Sequence, residues 1–146
     1  MMRFTSAAGL ILLLLFVPTV DALAEPAQAC NSERMLLFAS LADNLVNVAA
    51  KTADNEKKAI TYSARAVAME KSCMDASTSS MEHGRIYLLM AHDMMLAAVA
   101  ADELGNNKQA QVFAGFSLKI WKEIASVKEY PAGIRKSAQK EIDASK

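Results

Sequence analysis

Six side chains with soft or imidazole donor atoms, Met81, His83, Met90, His92, Met94 and Met95, crowd into one stretch of the 146-residue sequence. On a helix, His83, Tyr87, Met90 and Met94 follow at i, i+4, i+7 and i+11, which puts them on one face. Thioether and imidazole ligands suit Cu(I), so His83, Met90 and Met94 form a candidate copper site. The same methionines are also the flexible apolar filling that a buried helix needs, and packing is the preferred reading. His92 points about 180° away from that face, so the two histidines meet at one ion only across different helices or molecules. No CxxCH is present for covalent haem.

Hydrolytic motifs are absent: the chain has no GxSxG and no HExxH. His92 and Asp93 are neighbours that diverge by about 100° on a helix. Asp102 and Glu103 fall at a helix end, where solvation accounts for them. The residues therefore favour a non-catalytic role.

The elements that carry these residues are helical. Between Pro26 and Pro131 the sequence has no proline and is rich in Ala, Leu, Met, Lys and Glu, with no strand-like alternation. The expectation is an all-α fold of about five helices in antiparallel hairpins. Hairpin 1 is expected over about 32–72, hairpin 2 over about 80–128 and a C-terminal helix over about 131–144. In the first helix Leu37, Leu41, Leu45 and Val48 read as the core stripe and Ser40, Asn44, Asn47 and Lys51 as the wet one. Asp54-Asn55 is expected to cap the second helix, whose inner stripe is Ala59, Tyr62, Ala66, Met69 and Cys73. Ser79 with Glu82 has the capping-box spacing, and Gly105 reads as the stop of a central buried helix. Val112, Phe113, Phe116, Ile120, Ile124 and Val127 form the apolar face of the fourth helix, which should end near Glu129. Ile134, Ala138 and Ile142 line the fifth.

The N-terminus reads as an export signal. Met1 to Arg3 gives a short positive start, Leu10 to Val17 is apolar, and Ala22-Leu23-Ala24 offers small residues for cleavage before Glu25. The apolar run is well short of the roughly 20 residues that span a bilayer. Residues 1–24 are thus expected as a signal peptide and 25–146 as one helical domain, secreted or periplasmic and without a transmembrane segment. An oxidising compartment and two cysteines leave Cys30 to Cys73 as the one intramolecular bridge, joining the start of the first helix to the end of the second.

Sixteen basic and sixteen acidic residues cancel overall, which gives no general electrostatic reason to bind nucleic acid. The distribution is uneven: residues 25–107 hold 7 basic and 11 acidic side chains, and residues 108–146 hold 8 and 4. Lys122, Lys128, Arg135, Lys136 and Lys140 could face an acidic protein or an anionic lipid.

A shift of 51 positions lays Arg34 to Lys71 on Arg85 to Lys122, with identities at 10 of 38 positions, among them Leu37, Leu45, Val48, Ala49, Ala50 and Asn55. At the turns and helix crossings this pattern resembles tetratricopeptide (TPR) repeats, through Ala98, Ala101, Gly105, Ala110, Ser117 and Leu118 in one copy and Ala50, Ala59, Ala66 and Val67 in the other. The large aromatics of a TPR first helix and its closing proline are missing, and TPR units follow at about 34 residues. The resemblance covers about half the chain and implies helix-hairpin packing more than peptide binding. It also implies a concave surface built from the first helix of each hairpin. On it the shift pairs Asn44 with Met95 and Lys51 with Asp102. With Asn47 and His92 these are the expected contacts to a protein or peptide partner.

Overall fold

Four of the helix starts are capped by the side chain that local chemistry requires. The computed structural model describes residues 29–146, and within them five helices: α1 (Ser32–Asn47), α2 (Ala53–Ala76), α3 (Ser80–Glu103), α4 (Asn107–Ser126) and α5 (Ala132–Ala144). The leader expected over residues 1–24 lies outside the described residues. Asn31, Thr52, Ser79 and Asn106 each accept a hydrogen bond from the backbone N–H three residues on, at 2.9 to 3.2 Å. Each thereby satisfies a donor that the first turn leaves without an intrahelical partner. Gly105, at φ 74°, makes the left-handed turn that closes α3.

The boundaries differ from the expected ones where side chains compete for the turn. α1 stops at Asn47 rather than running to Lys51, because the Asn44 carbonyl accepts from both Val48 and Ala49 and closes the last turn. The cap of α2 is Thr52, not Asp54-Asn55; Asn55 instead donates its side-chain amide to the Ala50 carbonyl at 2.7 Å. α4 ends at Ser126, short of Glu129, where the Ser126 hydroxyl folds back to the Glu123 carbonyl at 2.8 Å.

Consecutive helices pack as antiparallel pairs, and α1 and α5 also touch α3. The odd-numbered helices therefore lie side by side, with α2 seated over the α1/α3 seam and α4 over the α3/α5 seam. Among the described residues α3 is the one helix in contact with all the others. It is long and apolar enough to cross a membrane, yet 61% of its most apolar stretch is buried inside the fold.

The core divides along α3. Met90, Ala91 and Met94 pack with Ile120, Trp121, Ile124, Tyr130 and Ile134 on the α4/α5 side. Further along α3, Leu96, Ala100 and Ala101 meet Ala42, Val46, Ala59, Ile60 and the first turn of α4 at Ala110, and Met35, Met69, Cys73 and Ile86 form a third cluster beneath the disulfide. Alanines at crossings let backbones approach closely, which suits short helices with little bulk to bury.

The core stripe expected on α1 is corrected here. Met35, Ala39, Ala42 and Val46 face inward, Leu41 and Leu45 are half-buried, and Leu37 and Val48 are exposed. Both stripes have helical spacing. The one with alanines at its centre lets α1 nest against α2 and α3, and the leucine stripe is left outside. Val112 on α4 is likewise exposed.

Gly84 allows α5 to close on α3. A Cβ placed there would stand 3.0 Å from Tyr130 Cδ1 and 3.1 and 3.2 Å from two Ile134 methyl carbons. Gly84→Leu is therefore expected to push α5 away and to cost about 1–3 kcal/mol, as overpacking does. Amide hydrogen exchange should speed up throughout α5 and remain unchanged in α1; uniform exchange across the chain would contradict this local account.

Candidate functional site

The structure separates the proposed metal ligands. An α-helix rises about 1.5 Å per residue, so His83 lies about 10 Å along the axis from Met90 and about 16 Å from Met94. Met90 and Met94 are buried in the core between α3 and α4, where they pack on aromatic and aliphatic carbon. His83 Nδ1 instead lies 2.7 Å from the Tyr130 hydroxyl, and the two rings stack at 5.8 Å. Among the described residues no group of three or more His, Cys, Asp or Glu side chains is placed to hold a metal ion.

The face that carries His83, Tyr87, Met90 and Met94 is the one turned towards α4 and α5. Tyr87 donates to Glu123 Oε2 at 2.8 Å, next to the His83–Tyr130 pair. Burial lowers the His83 pKa below the ordinary imidazole value, against the opposing pull of Asp75 and Glu123. Burial also raises the Tyr130 phenol to about 12, helped by Glu123 and Glu129. The Tyr87 phenol is pushed up as well, by burial first and then by its bond to Glu123. Neutral His83 and protonated tyrosines make a polar latch between α3, α4 and the turn into α5.

The residues expected on the partner surface fall at the outer edge of α1 and α3. Asn44, Asn47, Lys51, His92 and Asp102 are exposed and Met95 is half-buried. Several of them engage neighbouring acids instead, some across the seam. Asn47 Nδ2 donates to Asp43 Oδ1 at 2.7 Å, and His92 Nε2 of α3 lies 3.7 Å from the same oxygen. Lys51 donates to the Val46 carbonyl and bridges Glu103 at 3.1 Å and Glu56 at 3.9 Å. Lys51 thus ties the end of α1 to α2 and α3, and its replacement would read stability as well as binding. Asp102 lines a shallow, open groove with Val99, Glu103, Ala110 and Gln111 between α3 and α4.

Around these polar groups stand exposed apolar side chains, two of which, Leu37 and Val48, the helical spacing places on a core stripe. Leu36, Leu37 and Val48 are 57%, 54% and 77% exposed, and on α3 Met81 and Val99 are 42% and 38% exposed. Val48 and Val99 are equivalent under the 51-residue shift, as are Leu37 and the half-buried Leu88. Of the two pairs, Val48 and Val99 both face solvent.

A second feature escaped the sequence reading altogether. Glu56, Ser63 and Glu70 follow at intervals of seven on α2 and are all buried, as is Asp93 on α3. Glu70 and Asp93 are both 0% exposed, and among the described residues their carboxyl oxygens have no donor unless one acid carries a proton for the other. Burial, then the hydrogen bond and charge of Asp93, hold the Glu70 pKa well above the usual carboxylate range. Asp93 is raised too, chiefly by burial. The seven-residue spacing of Glu56, Ser63 and Glu70 was the available signal, but acid residues at that interval also mark a solvated face.

No protein-family model matches the chain, and neither a curated protein nor a solved structure is similar to it.

Proposed function

We propose that this chain is a small exported, non-catalytic module that binds another protein through the outer face of α1 and α3, its hairpins packed in a TPR-like manner. The observation that carries the reading is the set of exposed apolar side chains, Leu36 and Leu37 on α1, Val48 at its end, and Met81 and Val99 on α3, two helices in direct contact. Exposed large apolar side chains rimmed by polar ones mark contact surfaces. Asn44, Asn47, His92 and Asp102 would supply polar contacts around them, and Met95 a further apolar one. The Cys30–Cys73 bridge supports an oxidising destination, in keeping with a leader cleaved before Glu25. The residues that hinted at chemistry, His83, Tyr87, Met90 and Met94, are accounted for by packing and by the latch.

The test is site-specific crosslinking in the cells that export the protein. A photoreactive residue at position 37 should trap one dominant adduct, and the same group at position 57 on α2 should not. With the probe at position 37, Val48→Glu should weaken that adduct while shifting unfolding by no more than about 0.5 kcal/mol, since the Val48 side chain is exposed. Equal adducts from both positions, or none from position 37, would refute the surface.

A further inference from the structure

Formal neutrality hides an unbalanced surface. Residues 29–146 hold 15 Lys and Arg and 14 Asp and Glu, and three of those carboxyls, Glu56, Glu70 and Asp93, are buried. All three belong to the segment before Lys108. With them removed from the surface, residues 29–107 present 7 cations and 7 carboxylates, whereas residues 108–146 keep 8 cations against 4. The acidic excess of the N-terminal segment is therefore in the core, and it cannot neutralise the basic excess of α4 and α5 from outside.

Within that basic segment the acids are partly occupied. Glu123 accepts the Tyr87 hydroxyl, and Asp143 is held by Lys146 at 2.8 Å and by Gln139 at 3.1 Å. Lys119, Lys122, Lys128, Lys136 and Lys140 are exposed, and among the described residues none has a carboxylate within 4.0 Å. The short turn after Ser126 folds α5 back along α4. Lys119 then lies about 10 Å along the axis from the end of α4 and Lys140 about 12 Å from the start of α5, so all five lysines stand within about two turns of the connection between the two helices.

The side chains interspersed with these lysines are small or polar: Ser126, Gly133, Ser137 and Gln139 are all exposed. None of the exposed large apolar side chains of the described residues falls between positions 119 and 146. A helix that settles into a bilayer surface adds apolar groups that enter the acyl boundary, and this corner has none to offer. Exposed aromatic platforms for stacking nucleic-acid bases are missing from it as well. Lysines on a polar ground match instead the rim of a protein contact, where charge sets encounter rate and salt dependence.

We propose that the α4/α5 corner, through Lys119, Lys122, Lys128, Lys136 and Lys140, is an electrostatic docking site for an acidic protein segment. It is distinct from the α1/α3 surface and stands whether or not that surface binds a partner.

Poly-L-glutamate serves as the probe, titrated into the mature, disulfide-bonded chain at low salt and again at tenfold higher salt. Binding should be saturable and should weaken steeply with salt. The triple variant Lys122→Glu/Lys136→Glu/Lys140→Glu should bind at least about tenfold more weakly, and the neutral triple with Gln should lose less in the same direction. Lys57→Glu/Lys58→Glu on α2 should bind like the parent. The proposal is overturned by non-saturable binding, by equal losses in the α2 and corner variants, or by a probe that ignores all of these changes. It is overturned in favour of a lipid or nucleic-acid partner if phosphatidylglycerol vesicles or duplex DNA bind through the same lysines while poly-L-glutamate does not.

Discussion

Replacing Cys30 and Cys73 by serine lowers the stability of the fold by about 4 kcal/mol, the loop entropy that a bridge across 43 residues removes from the unfolded chain. For a domain of this size that corresponds to a fall in Tm on the order of 15 °C. The bridge joins the residue before the α1 cap to the last turns of α2, with Met35, Met69 and Ile86 packed around Cys73. Its loss should therefore fray α1 first. The check is urea unfolding of oxidised and serine forms, together with hydrogen exchange by segment. A change below about 1 kcal/mol would mean that the unfolded hairpin is already held together by other means.

Glu70→Gln is expected to stabilise the protein at neutral pH and to remove most of a pH dependence that the parent shows. A buried acid whose folded-state pKa is raised binds its proton more tightly folded than unfolded, so its contribution is complete below the ordinary value of 4.5. That contribution is then lost as pH climbs from there through the raised folded-state value. Each unit of difference is worth about 1.4 kcal/mol. The charged neighbours of the pair are Asp43, which adds to the raising of Asp93, and His92, which opposes it.

With glutamine at position 70, its amide donates to an ionised Asp93 and no shared proton is needed. The gain at neutral pH should be about 1–3 kcal/mol, the cost of keeping Glu70 protonated above its ordinary value of 4.5. Stability measured by denaturant at a series of pH values gives the answer. The parent should weaken between mildly acidic and neutral pH relative to Glu70→Gln, and parallel profiles for the two proteins would sink the shared-proton account.

The lysine corner and the acid pair are two consequences of one placement. Because Glu56, Glu70 and Asp93 occupy the α2/α3 interface, the core carries acids at a cost in stability and the surface loses the counterweight to α4 and α5. The residues that look balanced in a composition count thus act in different dielectric environments, where only the exposed ones set the field that a partner meets.

What the amino-acid order determined unaided is what depends on neighbours within a turn or two. Ser79 with Glu82, Asn106 and Gly105 announce their helix ends because cap chemistry is local. The inner edge of α2 through Ala59, Ala66, Met69 and Cys73 is legible because one small-residue stripe runs its length. Cys30 and Cys73 pair because an even count of two leaves no alternative.

Tertiary structure decided the rest, since a helical period marks a stripe without saying which neighbour covers it. On α1 two apolar stripes compete, and only the approach of α2 and α3 selects Ala39 and Ala42 for the inside and leaves Leu37 and Val48 outside. His83 and Met90 share a face in the sequence, but the rise of the helix and the position of Tyr130 send them to different partners. Glu70 and Asp93 sit on separate helices, and nothing short of packing α2 on α3 brings them together and out of water.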